Sequence, residues 1–292
     1  MKRIINILIL GLVIFATSGC LKRDELENVT VYTTVYPIEF LTDTLYGDNS
    51  KVLSIYPDGV DTNSYNLTDK QVNDYSKAAI FVYNGLTDEK DIARTFINKN
   101  KDMRIIDVSY GLKYTYAVEE LWLSPNNYLM LATTIKNNLQ DFITNKYLKE
   151  EIENQYVNVL EDKLSTADAE LRGINKNSNG KQYTIVGASR VFKFLTNYGF
   201  EVVCLEDEEN LTTNNLNAIK AKFKSNEYNY IFVRDDTPQS DLVKELVDSY
   251  NAEVVTFKML TNISDEDRKS GENYFTLMAA NMDAIKSATI GK

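Results

Sequence analysis

Apolar and polar positions follow two different periods along this chain, and segments of the two kinds take turns. Short β-branched and aromatic runs fall at Val29 to Val35, Val52 to Ile55, Ala79 to Tyr83 and Arg104 to Val108. They return at Tyr183 to Val186, Glu201 to Leu205, Tyr230 to Val233 and Glu253 to Phe257. Such runs predict strands. Helical spacing lies between them, over Ile38 to Tyr46, Arg190 to Asn197, Asn214 to Phe223 and Gln239 to Tyr250. The alternation predicts βαβ units: an α/β protein with two lobes, each a mainly parallel sheet flanked by helices. The longest periodic segment runs from about Lys146 to Ile174, with Tyr147, Ile152, Tyr156, Val159, Leu160, Leu164, Ala167 and Leu171 at helical spacing. As one helix it would extend about 40 Å at about 1.5 Å per residue, long enough to join two lobes. Polar, turn-rich Asn175 to Gly180 follows. The expected division is an N-terminal lobe over 29–145, a linking helix over 146–174 and a C-terminal lobe over 175–292.

The first twenty residues have a different pattern. Lys2 and Arg3 form a basic start, Ile4 to Phe15 an apolar run, and Ala16-Thr17-Ser18-Gly19-Cys20 a small-residue zone ending in cysteine. The order matches an export signal of the lipoprotein kind, and the run is short of the roughly 20 residues that a membrane-spanning helix needs. Lipid on Cys20 would hold the body at the outer face of the cell membrane, with 21–28 as a polar tether. Removing Lys2 and Arg3 leaves 30 basic residues against 42 acidic ones, so the formal charge goes from −10 to −12. That balance disfavours nucleic acid, which requires clustered Lys and Arg. The other cysteine, Cys204, lies in the apolar run Val202 to Leu205 and reads as a buried strand thiol.

The chain contains no histidine. This excludes the commonest general base, every Ser-His-Asp or Cys-His arrangement, and the commonest transition-metal ligand. No phosphate-binding glycine loop or paired-carboxylate spacing stands out either, so an enzyme is not expected. Two α/β lobes on an exported anchor suggest a solute-binding protein, with its ligand at the carboxyl ends of the strands between the lobes.

Several strings in order carry a resemblance that runs from about Val29 to the C-terminus. They are Thr33-Thr34-Val35-Tyr36-Pro37, Asp58-Gly59-Val60-Asp61-Thr62-Asn63-Ser64-Tyr65, Phe81-Val82-Tyr83-Asn84-Gly85, Leu121-Trp122-Leu123-Ser124-Pro125, Tyr198-Gly199 and Leu260-Thr261-Asn262. Together they resemble the zinc and manganese solute-binding lipoproteins of bacterial ABC importers. The resemblance implies two lobes joined by a long helix, a permease partner, a monomer and one divalent ion as cargo. It also implies four side chains that converge on that ion. Matched motif by motif, these positions fall on Asn63, Glu120, Ser189 or Ala188, and Asn262.

Only Glu120 of that set is charged. One carboxylate with two amides and a hydroxyl is a hard oxygen set, better suited to calcium, magnesium or manganese than to zinc. Asp58, Asp61, Glu119, Asp235 and Asp236 are nearby acids available to supplement it, whereas Glu206 to Glu209 reads as a solvated loop. The same residues also fit a small polar organic ligand, with Tyr36 and Tyr65 as aromatic walls and Arg190 or Arg234 gripping a carboxylate. Trp122 fits either a cleft wall or the core. A third reading is a surface adhesin or scaffold that keeps the fold without the site. The sequence leaves the three open.

Overall fold

The computed structural model describes residues 24–175, 180 and 182–289. Cys20, the signal and Leu21 to Arg23 lie outside the described residues. Among the described residues eight short strands form two four-stranded sheets, parallel throughout. In the first lobe β1 (Thr30–Thr33), β2 (Lys51–Ser54), β3 (Ile80–Tyr83) and β4 (Arg104–Asp107) stand in the order β2-β1-β3-β4. In the second, β5 (Thr184–Gly187), β6 (Glu201–Cys204), β7 (Tyr230–Arg234) and β8 (Glu253–Phe257) stand as β6-β5-β7-β8. Registers such as Val31↔Val52, Val31↔Ile80 and Ile231↔Val254 bring apolar residues side by side. The chain leaves the central strand first to one side and then to the other, which opens a crevice at the carboxyl edge beside β1 and β5.

The first lobe's helices are α1 (Tyr36–Tyr46), α2 (Asp69–Tyr75) and α3 (Glu89–Lys99), followed by the one-turn α4 (Glu120–Leu123) and α5 (Pro125–Phe142). Helix α5 starts on a Ser124 cap with Pro125 in its first turn, where the missing N–H costs nothing. A long rod comes next: α6 (Lys146–Gln155), a π-helical stretch Tyr156–Glu161 and α7 (Asp162–Gly173) follow one another in helical backbone without a break. Helix α5 packs along this rod through Thr133 Oγ1 and Tyr156 Oη, 2.8 Å apart, and the Lys136–Glu153 ion pair at 3.0 Å. The lobes are thus joined by one long helical rod over Lys146–Gly173, as the periodicity suggests, with α5 packed along it.

The second lobe carries α8 (Thr213–Lys224), α9 (Asp241–Tyr250), α10 (Asp265–Lys269) and α11 (Tyr274–Thr289). The segment Arg190–Tyr198 is a 3₁₀ helix of 9 residues rather than an α-helix. With three residues per turn, Phe192, Leu195 and Tyr198 align in one stripe and Val191 and Phe194 in the next, and all are buried. Gly199 ends it at φ +87, a conformation that glycine reaches without strain.

One core runs through both lobes, and a smaller apolar cluster of Val186, Phe223, Ile231, Val243 and Leu246 fills the outer face of the second sheet. At the junction, Tyr128 and Tyr274 stack at 4.0 Å, and Tyr274 donates its hydroxyl to the carbonyl of Trp122. Asp24 to Asn28, which the sequence places in the tether, belong to the first lobe. Leu26 is buried, Tyr46 donates to its carbonyl, and Asp24 accepts hydrogen bonds from the backbone of Leu26, Thr144 and Asn145. Those donors outweigh burial and hold the Asp24 carboxyl down at about 2. Among the described residues no helix is long and apolar enough to cross a membrane.

Candidate ligand cleft

The carboxyl-edge loops of the two lobes face each other around a cavity of about 380 Å³. Gly59 to Asn63 line it from the first lobe, and Arg234 to Thr237, Lys258 to Ser264 and Asp267 from the second. Four lining carboxylates, Asp61, Asp235, Asp236 and Asp267, stand against two cations, Arg234 and Lys258. The surroundings are net acidic.

Arg234 ends β7 beside the crevice. Its Nη2 lies 2.5 Å from Glu119 Oε1 in the other lobe, and Nε and Nη2 grip both oxygens of Asp236 at 2.8 Å. Burial works against its charge, but the bonds from Asp236 and Glu119 outweigh that and hold the guanidinium above its ordinary pKa. Next to it, burial raises the Asp235 carboxyl although that group accepts the Met259 N–H at 2.9 Å.

A second arginine works at the cleft's edge. Arg268 of α10 donates to both oxygens of Asp58, at 2.5 and 2.8 Å, and to Glu39 at 2.9 Å, and lies over the Tyr36 ring at 5.6 Å. Burial nonetheless holds Glu39 above its usual range. The loop after β8 supplies further contacts across the lobes. Leu260 stands at φ +63, rare for a bulky residue, and this turn presents Thr261 and Asn262 to the first lobe. Asn262 Nδ2 donates to the carbonyls of Pro57 and Val60, each at 2.9 Å. Tyr36 N–H donates to the Thr261 carbonyl at 3.1 Å and Gly59 N–H to that of Ile263 at 2.8 Å. Trp122, fully buried, donates its indole N–H to the Met259 carbonyl at 2.8 Å.

The positions singled out from sequence separate in space. Asn63, Asn262 and Arg234 border the same cavity, whereas Glu120, Ala188, Ser189, Arg190, Tyr36 and Tyr65 are not among its lining residues. Asn63 is exposed at the rim, and its backbone N–H donates to Asp61 Oδ1 at 3.0 Å. Glu120 is buried and turned back on its own loop, accepting the N–H groups of Thr115 at 3.2 Å, Ala117 at 2.8 Å and Tyr116. Ser189 is half-buried ahead of the 3₁₀ helix, and Ala188 N–H donates to the Phe232 carbonyl at 2.9 Å.

Arg190 turns to the acidic run instead. Its N–H donates to Glu206 at 2.7 Å and its Nε lies 3.5 Å from Asp207, which also takes Lys193 at 2.7 Å. Glu206 and Asp207 are thus paired rather than only solvated. Tyr36 is buried beneath Arg268, and Tyr65 is half-buried, edge-on to Tyr56 at 6.0 Å, with its hydroxyl accepting from Gln71 at 2.7 Å. Sequence reasoning missed Arg268, and it put the weight on Glu120 where Glu119 reaches across. Among the described residues no group of three or more His, Cys, Asp and Glu is placed to hold a metal ion.

Comparison with known proteins agrees with the architecture. The zinc-binding lipoprotein AdcA of Streptococcus pneumoniae strain R6 is 24% identical over 319 residues, covering 99% of this chain and 61% of AdcA. The chain thus spans under two thirds of that relative. The manganese ABC transporter substrate-binding lipoprotein PsaA of Streptococcus anginosus is 23% identical over 311 residues, covering 98% of each chain. The crystal structure of the Zn(II)-bound ZnuA-like domain of S. pneumoniae AdcA superposes with a TM-score of 0.71 at 23% identity, covering 90% of this chain and 99% of that one. The family model for ZnuA, zinc-uptake complex component A, periplasmic, matches residues 31–288, and the chain belongs to that family.

Proposed function

We propose that this chain is the solute-binding lipoprotein of an ABC importer, anchored through Cys20 at the outer face of the cell membrane, and that it delivers a cation from the interlobe cleft to a permease. The observation that carries this reading is the cleft itself, at the carboxyl edges of two parallel sheets, where lining carboxylates outnumber cations by four to two. AdcA is named zinc-binding and PsaA a manganese transporter component, so a divalent ion is the cargo class that these relatives suggest. The donors here are oxygens. Asp61, Asp235, Asp236 and the amide of Asn63 line the cavity without converging as a ready-made cluster, and as oxygen donors they suit manganese, calcium or magnesium before zinc.

The test is native mass spectrometry and elemental analysis of the gently purified chain from Leu21 to Lys292, then melting curves with Mn²⁺, Ca²⁺, Mg²⁺ and Zn²⁺. An ion at about 100 times its Kd stabilises the folded state by about 2.7 kcal/mol. An oxygen-seeking ion should raise the melting temperature more than zinc does. No retained metal together with no ion-dependent shift would refute the cation reading.

A further inference from the structure

The cleft already holds a positive charge supplied by the chain. The Arg234 and Glu119 side chains are only 16% and 10% exposed, so their contact at 2.5 Å is a largely dry ion pair across the lobes. The guanidinium also takes both oxygens of Asp236 in a two-pronged grip, at 2.8 Å each. The other lining charges have different partners: Asp235 accepts the Met259 N–H, Lys258 pairs with Asp267 at 3.2 Å, and Asp61 accepts the Asn63 N–H and the Ser64 hydroxyl of its own loop. Arg234 thus occupies one carboxylate of the cavity lining, Asp236, together with Glu119, which reaches it from the other lobe.

We propose that Arg234 is the resident counter-ion of the cleft and determines its specificity: a divalent cation gains Glu119 and Asp236 only by displacing the guanidinium from them. This rests on the reading of the cleft as a cation site. Two cations cannot share one pair of carboxylates in a poorly solvated crevice, because each then faces the other's charge with half the compensation. The rest of the closure is likewise supplied by the protein. Asn262 clasps the carbonyls of Pro57 and Val60, and Arg268 clamps Asp58 and Glu39, so both edges of the cleft are bridged by side chains of this chain. The bridging contacts that a bound solute supplies in a hinge-closing receptor are therefore already made. Capture of Glu119 and Asp236 by an ion requires the Arg234 bridge to open, which ties affinity to the cost of breaking a buried pair and gives the cleft a threshold against weakly binding ions.

The experiment compares the whole mature chain with Arg234→Gln and Arg234→Lys. Trp122 is the single tryptophan and donates to a carbonyl of the cleft loop, so its fluorescence reports Mn²⁺ and Ca²⁺ titrations, with calorimetry as an independent readout. Gln keeps hydrogen bonding to Glu119 and Asp236 without the charge, and the expected result is Mn²⁺ binding about ten-fold tighter or more than in the wild type. Adding Glu119→Gln to Arg234→Gln should abolish that gain. Should Arg234→Gln fail to fold, Arg234→Lys carries the test, since an ammonium lacks the fork and must yield to the ion more readily, by about three-fold or more. Equal affinities in wild type and variants overturn the role of Arg234 and leave the cation reading standing. No binding in any of them overturns both.

Discussion

Glu89 offers the most quantitative check on this structure. Its carboxyl, 7% exposed, sits at the start of α3 beneath the carboxyl edge of β3, where Oε2 accepts the Asn84 N–H at 2.7 Å. Burial is the dominant influence and raises the pKa. The Asn84 N–H opposes it, the negative charge of Asp107 adds to it, and the carboxyl is pushed from its ordinary 4.5 to about 7. At about 1.36 kcal/mol per pH unit, that displacement corresponds to about 3 kcal/mol of pH-dependent stability. The sign follows from the proton count. Between these two values the folded protein holds a proton that the unfolded chain has released, so this stability is fully present below about pH 4.5 and is lost as the pH rises through about 7. Glu89→Gln fixes the neutral form and keeps an acceptor for Asn84. Urea unfolding followed through Trp122 should give nearly equal stabilities at pH 4.5, and at pH 8 a variant more stable than the wild type by up to about 3 kcal/mol. A difference between the two proteins that stays constant with pH would refute the burial argument.

Three further outcomes follow from the contacts across the lobes and from the anchor. Asn262→Ala removes the amide that donates to Pro57 and Val60, and should cost about 1–3 kcal/mol and enlarge the radius of gyration measured by small-angle scattering; unchanged dimensions would mean that the clasp does not hold the lobes. Trp122→Phe leaves the Met259 carbonyl without its indole donor and opens a small void, so thermal unfolding should show a loss of about 2–4 kcal/mol, while Tyr274 keeps its bond to the backbone carbonyl at 122. Cys20→Ala should move the protein from the membrane fraction to the medium, and full membrane retention would contradict the lipid anchor.

Most of the fold could be read from the sequence because its signals are local. A buried parallel strand is a short β-branched run whatever surrounds it, and each of the eight runs contains or overlaps a strand of the structure. Less visible was α5, whose interior mixes Thr133, Thr134, Asn137 and Asn138 with its apolar stripe, so its helical character depends on the Ser124 cap and on packing against the rod. The 3₁₀ form of Arg190–Tyr198 was also out of reach, since apolar positions at three-residue spacing satisfy an α-helical template almost as well. Leu26 reads as part of a polar tether because only the distant Tyr46 and the backbone at Thr144 reveal that the segment is packed.

The site was harder to read because it depends on direction rather than position. Glu119 and Glu120 are adjacent and chemically identical, and the one-turn α4 sends them to opposite duties. Glu120 folds back onto three backbone N–H groups that its own loop leaves without a helix, and Glu119 faces the second lobe. Spacing from the Trp122 motif selects Glu120, but it carries no information on where the loop's unpaired N–H groups lie. Arg234 shows the converse. Its place at the end of β7 marks it for the crevice, yet its role depends on which anion meets it, and that anion comes from residue 119 in the other lobe. The histidine-free composition then acquires a structural counterpart. A cleft that closes on acidic side chains needs a positive charge to close at all, and in this chain an arginine supplies it from within, so ion affinity should be governed as much by residue 234 as by the carboxylates around it.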